Sequence, residues 1–548
     1  MKIKYWTSFG AFLFIFATSF AQSSYFPPEF EKQEGLVLTW DYNTQRDPVT
    51  AAVAKAVQPS AKVWIIYYPG QAPVDTAEIR DFLRDHGVPD ENVYLIPGWT
   101  ETLWIRDYGP FTGYDLQNLP PSRYFIDAGY SAYNRPKDDS IPSQLGNLWG
   151  IPVVDLPLQF EGGNVLFDGT GRGWGSTRIF EQNSNFSQTQ VKSLLEDHFG
   201  LEDFMFLQKL TQSGGGQWAH VDMYMKILDS ETIMISQYPD FVPDYFLIES
   251  FALTLGNMTN FDGTPYRIVR IPAPPKANGT WPTTQNDEMR TYTNSIINND
   301  VIVVPSYNLP EYDSVAKQIY QENMPGYRIE MVDATVLTPL YGALHCITKE
   351  VTKPEYLRIR HQKITGMLTY TNPYMVIDAR IDCNLVADSS FVYYKFNSSE
   401  TFNRVPMSPG CPYYVGVING IQPTDTVHYY IYTARNGDEV VLPPPAPNGY
   451  YSFWFDQSID VNEISAIPFT LSFYPNPSNG NFTIVNPDAA NPGIMTILDM
   501  FGKTIMQHMV EPGVNVLKLT HALPSGLYMI KLQILGMPAI TGKLVVEK

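Results

Sequence analysis

Strand-like and helix-like segments alternate from about residue 35 to residue 365, and this alternation limits the possible folds more than any other feature. Residues 63–68 (Val-Trp-Ile-Ile-Tyr-Tyr) form a short apolar run that ends at Pro69-Gly70, the pattern of a buried strand followed by a turn. Residues 93–96 and 301–304 have the same character. With helices between such strands, the alternation predicts α/β architecture.

Helix starts are predicted between these strands. Asp75 with Glu78, and Ser187 with Gln190, fit the capping-box pattern, in which side chains satisfy the free N–H groups at a helix start. A further helix is predicted from Asp313. Because α/β folds carry binding groups on loops and at strand ends, we expect the functional residues there.

Helical periodicity ends near residue 368. Short alternating strands, such as residues 391–394 and 427–432, predict a β-sandwich over residues 368–460. Residues 443–447 (Pro-Pro-Pro-Ala-Pro) are too stiff for a central strand and are predicted to form a loop. Residues 456–466 have the character of a linker, and the chain after them is again β-rich.

Residues 1–21 have the pattern of a secretory signal peptide. Lys2 and Lys4 precede a short apolar run over residues 9–20, and residues 19–21 (Ser-Phe-Ala) fit a cleavage site. A membrane helix is the alternative, but the run is shorter than the roughly 18 residues that a span needs. We therefore expect an exported protein with no transmembrane segment in the mature chain.

The formal net charge of -19 makes nucleic acid an unsuitable partner, since nucleic-acid binding relies on basic surfaces. An acidic surface attracts cationic substrates. Simple solubility of an exported protein explains the same charge equally well.

The chain has three cysteines, Cys346, Cys383 and Cys411. In an oxidising compartment an odd number leaves one thiol unpaired. Cys383 and Cys411 lie in the strand-rich region, where the sequence leaves a disulfide between them open. Cys346 is then the unpaired thiol, although a lone cysteine is more commonly an inert buried residue.

Cys346, His220, Asp107 and Asp222 together fit chemistry on a guanidinium. Two carboxylates can clamp this planar cation through paired hydrogen bonds. A thiolate is nucleophilic enough to attack its carbon, and an imidazole can act first as acid and then as base. This set predicts an enzyme that hydrolyses a carbon–nitrogen bond of arginine.

His220-Val221-Asp222 is predicted on a strand, where the two polar side chains would share one face. A structural histidine–aspartate pair is the alternative. A metal site is a second alternative, but no third ligand stands at motif spacing. If Cys346 also lies on a strand, His345 points away from it. The glycines at 162–163 and 214–216 lack a phosphate-loop pattern and are predicted to form turns beside the pocket.

Five motifs in this order resemble the agmatine deiminase superfamily. With the export signal and two β-domains, the chain resembles the Porphyromonas-type peptidylarginine deiminase family in particular. The motifs are residues 104–110 (Trp-Ile-Arg-Asp-Tyr-Gly-Pro), 161–164 (Glu-Gly-Gly-Asn), 220–222 (His-Val-Asp), 293–295 (Thr-Asn-Ser) and 344–346 (Leu-His-Cys).

The resemblance implies a fold and a domain order. After the signal peptide, residues 22–367 would form a five-bladed α/β propeller with the site in its central funnel. Residues 368–460 would form an immunoglobulin-like domain, and residues 466–548 a small β-sandwich. No cofactor or metal, calcium included, is expected to be needed for turnover.

The resemblance also implies residue roles. Asp107 and Asp222 would bind the guanidinium, His220 would be the acid and base, and Cys346 the nucleophile. Asn294 would support the site.

By the same resemblance, the Trp104 side chain would form one wall of the pocket. In the family, an Asn-Arg-Pro-Arg stretch reads the carboxylate of a C-terminal arginine, and this chain has Asn-Arg-Pro-Lys at residues 134–137. Arg135 matches, whereas Lys137 keeps the charge but loses the planar fork. The choice between C-terminal and internal arginine therefore stays open, and a solvated loop is the alternative for this stretch.

The last segment resembles the C-terminal sorting domain of type IX secretion cargo. It carries a Pro-Asn-Pro start at residues 475–477, a Gly-Lys turn at 502–503, a Leu-Pro-Ser-Gly-Leu-Tyr stretch at 523–528 and the basic last residue Lys548. The resemblance implies type IX machinery as a partner, with passage through the periplasm to the cell surface or the medium.

Three functions are carried forward. The first is an exported hydrolase that converts peptidyl arginine to citrulline with release of ammonia. The second is a deiminase of agmatine or free arginine, and the third is a surface protein that binds arginine without turnover. Export favours the first, because free guanidino metabolites are mostly intracellular.

Overall fold

The computed structural model describes residues 24–70, 76–130, 134–216, 218–381, 387–410, 413–456, 473–474, 478, 481–486, 492–499, 503–511, 513–518, 523–534 and 540–546. Several features named above lie outside these residues: the signal peptide, Asp75, the linker, Cys383 and Cys411, the Pro-Asn-Pro start and Lys548. The chain forms two compact units, residues 1–456 and 457–548. None of the helices within the described ranges has the length and apolar character of a membrane span.

Seventeen strands between residues 24 and 352 form five small sheets. The strands are β1 (Ser24–Tyr25), β2 (Gln33–Thr39), β3 (Lys62–Tyr67), β4 (Val93–Pro97), β5 (Phe111–Asp115), β6 (Ser122–Gly129), β7 (Val153–Gln159), β8 (Val165–Phe167), β9 (Arg172–Ser176), β10 (Asp203–Leu207), β11 (Met225–Asp229), β12 (Thr232–Gln237), β13 (Arg267–Pro272), β14 (Ile296–Asn298), β15 (Val301–Ser306), β16 (Arg328–Asp333) and β17 (Lys349–Thr352).

The five sheets share one pairing pattern. In each, a central strand pairs with an antiparallel strand on one side and with a parallel strand on the other. The sheet orders are β1-β5-β6-β7, β8-β9-β10, β11-β12-β13, β14-β15-β16 and β17-β2-β3-β4. Helices occupy the connection between the parallel strands, as right-handed crossovers require. This confirms α/β architecture.

The helices between residues 24 and 352 are α1 (Asp47–Val57), α2 (Thr76–Asp85), α3 (Ile105–Tyr108), α4 (Pro136–Asp139), α5 (Ile141–Trp149), α6 (Arg178–Gln182), α7 (Gln188–Phe199), α8 (Tyr245–Gly256) and α9 (Pro310–Asn323). Ser187 and Gln190 form the predicted capping box of α7. The helix predicted from Asp313 begins earlier, at Pro310, because proline is favoured in the first helical turn.

The sheet that contains β2, β3 and β4 is completed by β17, the last strand of this region. Strand β17 pairs antiparallel with β2, with Lys349 opposite Val37. More than 300 residues of chain therefore separate two neighbouring strands. The buried core beneath these sheets includes Leu36, Ile65 and Val303.

Residues 359–455 form two further sheets that pack over one core. The strands are β18 (Ile359–Arg360), β19 (Gly366–Leu368), β20 (Tyr374–Ile381), β21 (Ser389–Phe396), β22 (Asn403–Pro406), β23 (Ser408–Gly410), β24 (Tyr413–Asn419), β25 (Thr426–Arg435), β26 (Asp438–Leu442) and β27 (Tyr451–Phe455). Sheet β18-β20-β24-β23 faces the sheet built on β25 across Ile377, Val392 and Phe453. Residues 443–448 form turns after β26, as predicted.

The second unit also holds two sheets. Its strands are β28 (Phe473–Tyr474), β29 (Asn481–Asn486), β30 (Gly493–Leu498), β31 (Thr504–Val510), β32 (Gly513–Lys518), β33 (Gly526–Ile534) and β34 (Ile540–Val546). Sheets β28-β29-β32 and β31-β30-β33-β34 share a core that includes Ile484, Ile497 and Ile530.

Candidate active site

Each of the five sheets contributes one chain segment to the same place. Each segment lies directly before the strand that pairs antiparallel with the central strand of its sheet, namely β5, β8, β11, β14 or β17. The start of that antiparallel strand therefore lies at the carboxyl end of the central strand, as Met225 of β11 pairs with Ile235 near the end of β12. This is the end at which α/β sheets bind ligands. The segments are residues 104–108, 161–164, 220–223, 293–295 and 344–347.

Three predicted side chains converge on Gly163. A Cβ placed on that glycine would lie 3.0 Å from Asp222 Oδ2, 3.0 Å from His220 Nδ1 and 3.1 Å from Asp107 Oδ1. The strand predicted for His220 and Asp222 is wrong, because the backbone forms a 3-10 turn at Val221–Met223. The turn brings both side chains to Gly163, where a larger residue would have to displace them.

Cys346 sits in a second 3-10 turn, His345–Ile347, and is only 3% exposed. Asn294 holds this turn: its Nδ2 donates to Cys346 Sγ at 3.3 Å, and its Oδ1 accepts from the backbone N–H of His345 at 3.0 Å. The Trp104 ring lies against Gly342, where an added Cβ would also be 3.3 Å from Cys346 Cβ. Trp104 is thus placed beside the thiol.

Two buried carboxylate oxygens around the thiol have no hydrogen-bond partner within the described residues. They are Asp107 Oδ1 and Asp222 Oδ1. A buried acceptor without a partner costs about 1–3 kcal/mol, and more when it is charged. A cationic hydrogen-bond donor placed between them would satisfy both.

The other oxygen of Asp222 accepts a hydrogen bond from His345 Nδ1 at 2.7 Å. The expectation that His345 points away from the site is wrong, because it assumed a strand and residues 345–347 form a turn. His345 thereby fixes the orientation of the Asp222 carboxylate.

Glu161 was not predicted as a functional residue, yet it holds His220. Its Oε2 lies 3.5 Å from His220 Nε2, and Arg178 Nη2 lies 2.8 Å from its Oε1. His220 Nδ1 lies 3.6 Å from Asp107 Oδ1, so the imidazole stands between two carboxylates. The Glu-Gly-Gly-Asn motif was the only sequence signal at this position.

Burial and mutual charge shift the site's titrations. Burial, with the negative charges of Glu161 and Asp222, raises the pKa of Asp107 to about 7. Burial lowers the pKa of His220, but Asp107 and Glu161 outweigh it and leave that pKa above its ordinary value. Burial, then Asp222 and Asp107, raise the pKa of the Cys346 thiol well above its usual range. Without a bound cation the thiol therefore stays protonated.

Behind these residues is a group of charged side chains that we call the support layer: Glu29, Arg106, Lys226, His345 and Glu350. Lys226 forms an ion pair with Glu29 and donates to the carbonyl of Ser295 at 2.6 Å. His345 Nε2 lies 3.3 Å from Glu29 Oε2, and Arg106 Nη1 lies 2.6 Å from Glu350 Oε2. In the support layer, each carboxylate thus lies beside a cationic side chain.

Arg135 and Lys137 lie around the start of α4. Arg135 Nη1 donates to the Tyr130 hydroxyl at 3.5 Å, and the Tyr130 ring packs on Tyr108, the neighbour of Asp107. Lys137 Nζ lies 4.6 Å from the centre of the Tyr68 ring. Within the described residues, the Lys137 ammonium makes no hydrogen bond or ion pair with the five segments. The structure brings the other six predicted residues together.

In the part of the chain that the structure describes, no group of three His, Cys, Asp or Glu side chains is placed to hold a metal ion.

Comparisons with known proteins agree with this geometry. The family model "Porphyromonas-type peptidyl-arginine deiminase" matches residues 25–352. A "Putative agmatine deiminase" of Shewanella baltica is 26% identical over 357 residues, which cover 60% of this chain and 94% of that protein.

Solved structures share the fold at low identity. The "Putative Arginine Deiminase from Porphyromonas gingivalis" is 21% identical with a TM-score of 0.52, covering 61% of this chain and 99% of that chain. The C. jejuni agmatine deiminase with substrate bound is 20% identical with a TM-score of 0.51, covering 61% and 97%.

Fold and family match together define the class of guanidino-group deiminases, hydrolases of carbon–nitrogen bonds. The chain belongs to the Porphyromonas-type peptidyl-arginine deiminase family, whose model covers more than half of it. The family resemblance inferred from the five motifs is therefore confirmed. A "Secretion system C-terminal sorting domain" model matches residues 472–547, which implies involvement of type IX secretion.

Proposed function

We propose that the protein hydrolyses the guanidino group of peptide-borne arginine to citrulline and ammonia. The observation that carries the proposal is the pair of unpartnered oxygens, Asp107 Oδ1 and Asp222 Oδ1, beside the Cys346 thiol. Two carboxylates can hold a planar cation by its N–H groups, which leaves its face open to sulfur.

The proposed reaction has two stages. The bound guanidinium lowers the pKa of Cys346, whose proton passes to solvent, and the thiolate adds to the guanidinium carbon. His220, as imidazolium, gives its proton to one terminal nitrogen, which leaves as ammonia and yields a thiouronium. His220 then takes a proton from water, which attacks the same carbon. The carbon–sulfur bond breaks and releases the thiolate, the added hydroxyl group loses its proton to solvent, and the product is the ureido group of citrulline.

Glu161 and Asn294 are positioning residues in this scheme. Glu161 orients His220, and Asn294 holds the turn that carries Cys346. Trp104 bounds the pocket. We further propose that Arg135, and more weakly Lys137, attract the carboxylate of a C-terminal arginine.

We also propose the finer architecture. The five sheets would be the blades of a propeller, each of which supplies one segment to a central site, and residues 359–455 would be an immunoglobulin-like domain. The shared pairing pattern supports the first part, as does the pairing of β17 with β2. The sorting domain supports export to the cell surface or the medium, with removal of residues 1–21.

Turnover of a small guanidino compound is the second candidate function. The relatives named agmatine deiminase, including the solved C. jejuni enzyme, favour it. Against it, the sorting domain matches residues 472–547, and an exported enzyme meets peptides rather than intracellular metabolites.

A substrate comparison tests the proposal. The protein would be incubated with a peptide that ends in arginine, a peptide with internal arginine, free arginine and agmatine, and citrulline-type product and ammonia would be measured. We expect the highest kcat/KM for the peptides. Turnover of agmatine alone would replace the proposal with the second candidate.

A further inference from the structure

Lys349 is a buried lysine that the proposed reaction does not use. It opens β17, three residues after Cys346, and is fully buried. Its ammonium has no hydrogen-bond partner within the described residues. The ammonium lies 3.6 Å from the centre of the Phe111 ring.

The ammonium is separated from the catalytic carboxylate by a single turn. A Cβ on Gly162 would lie 3.3 Å from Lys349 Nζ, whereas a Cβ on the next residue, Gly163, would lie 3.1 Å from Asp107 Oδ1. The stem of Lys349 packs against Gly109, two residues after Asp107, where a Cβ would lie 3.0 Å from Lys349 Cγ. Lys349 and Asp107 therefore lie against neighbouring residues of the same glycine turn.

Among the described residues, the carboxylates around it either pair with other cations or face the thiol. Arg106 and Glu350 pair with each other, Glu29 pairs with Lys226, and Glu161 pairs with Arg178. Asp107 and Asp222 face the thiol. Burial lowers the pKa of Lys349 to about 7, which Arg106 reinforces, while Glu350, Asp107 and Glu29 oppose the shift.

Lys226 provides a comparison within the same molecule. It is as buried as Lys349, but it pairs with Glu29 and with a backbone carbonyl. A buried charge without such partners costs several kcal/mol, and a neutral side chain of the same length would not. The cation–π contact with Phe111 offsets only part of this cost. Lys349 therefore stabilises the fold less than a neutral side chain of the same length would.

We propose that Lys349 is a positioning residue whose positive charge opposes protonation of Asp107, so that the site can accept a guanidinium. Three carboxylates, Asp107, Glu161 and Asp222, crowd the pocket, and their repulsion and burial favour protonation of Asp107. A protonated Asp107 offers the guanidinium no charge. A cation beside the glycine turn opposes that protonation. The inference rests on the proposed function for its catalytic part.

The test compares Lys349→Met with Lys349→Arg, which keeps the charge, and with Lys349→Gln as a second neutral variant. The acid limb of kcat/KM reports the free enzyme's essential base. We expect the midpoint of this limb to rise by about 0.5–1 pH unit in the Met and Gln variants and to stay within about 0.2 units in the Arg variant. An unmoved midpoint in both neutral variants overturns the proposal.

A second measurement does not depend on any substrate. The folded-state pKa of Lys349 is lowered, so the wild type becomes more stable as pH rises from about 7 towards the unfolded value of 10.5. Lys349→Met should therefore raise the unfolding midpoint by roughly 2–4 °C at pH 6 and leave it unchanged near pH 10. Lower stability at pH 6 would mean a structural role and would overturn the proposal. Absence of any deiminase activity in the wild type would instead remove the proposed function.

Discussion

The residues around Cys346 and the support layer behind them use the same charged groups in different ways. In the support layer, carboxylates meet cations: Lys226 with Glu29, and Arg106 with Glu350. Around the thiol, Asp107 and Asp222 each keep one buried oxygen without a partner. The buried ion pairs stabilise the fold, whereas the buried carboxylate oxygens without a partner indicate a ligand-binding site. Substitutions in the two groups should therefore have opposite effects on stability.

The largest effect is expected for Cys346→Ala. The variant keeps the packing of this small buried residue but cannot form the covalent intermediate. We expect kcat to fall by at least about 10⁴-fold, while binding of an arginine peptide survives. Ammonia release measures kcat, and calorimetric titration measures binding of the peptide. Full activity in the variant would exclude the covalent mechanism.

In the support layer, Glu29→Gln should destabilise the fold strongly. The change leaves Lys226 as a buried cation without its counter-ion, which costs about 3–5 kcal/mol. Urea unfolding followed by tryptophan fluorescence measures the free energy of unfolding. The double variant Glu29→Gln with Lys226→Met is the matched control and should recover much of the loss. An unchanged free energy in Glu29→Gln would contradict the contrast between the two groups.

Beside the thiol, Asp107→Asn should stabilise the protein while it removes activity. The pKa of Asp107 is about 7 in the folded state against 3.8 in a model carboxyl group, so the folded protein holds this proton more tightly. Its contribution to stability is therefore present below about pH 4 and lost as pH rises through 7. We expect the asparagine variant to be more stable by about 2 kcal/mol at pH 8. Unfolding measured at pH 4 and pH 8 checks this, since the difference should vanish at the lower pH.

The smallest effect is expected for an exposed ion pair outside both groups. Arg84 lies 3.0 Å from Asp81 and 2.7 Å from Asp90 on the surface around α2. Because solvent screens such pairs, Arg84→Gln should leave the free energy of unfolding nearly unchanged. The same urea titration applies. A loss of unfolding free energy as large as that of Glu29→Gln would mean that burial does not determine how much an ion pair contributes to stability.

Local patterns in the sequence predicted local structure well. The run at residues 63–68 became β3, and Ser187 with Gln190 capped α7, because both depend on neighbours within a few residues. Cys346, His220, Asp107 and Asp222 were predicted from the chemistry of their side chains, whereas Asn294 and Trp104 were predicted through the family resemblance.

What the sequence analysis missed depends on contacts between distant residues. His345 was expected to face away because a strand was assumed, whereas a three-residue turn directs it to Asp222, 123 residues earlier in the chain. The role of Glu161 becomes visible only in the folded structure, where Arg178 and His220 lie beside its carboxylate. The support layer joins Glu29 to Lys226, which no spacing rule connects.

The pairing of β17 with β2 also fixes the order in which the molecule can mature. A ribosome releases residue 33 long before residue 349, so the nascent chain carries β2 with an unpaired edge for most of its synthesis. Cys346, the proposed nucleophile, belongs to the same late segment, three residues before β17. A chain cut short before this point would lack both the missing edge and the reactive sulfur. Premature termination should thus give an inactive, aggregation-prone fragment rather than a shortened but active enzyme.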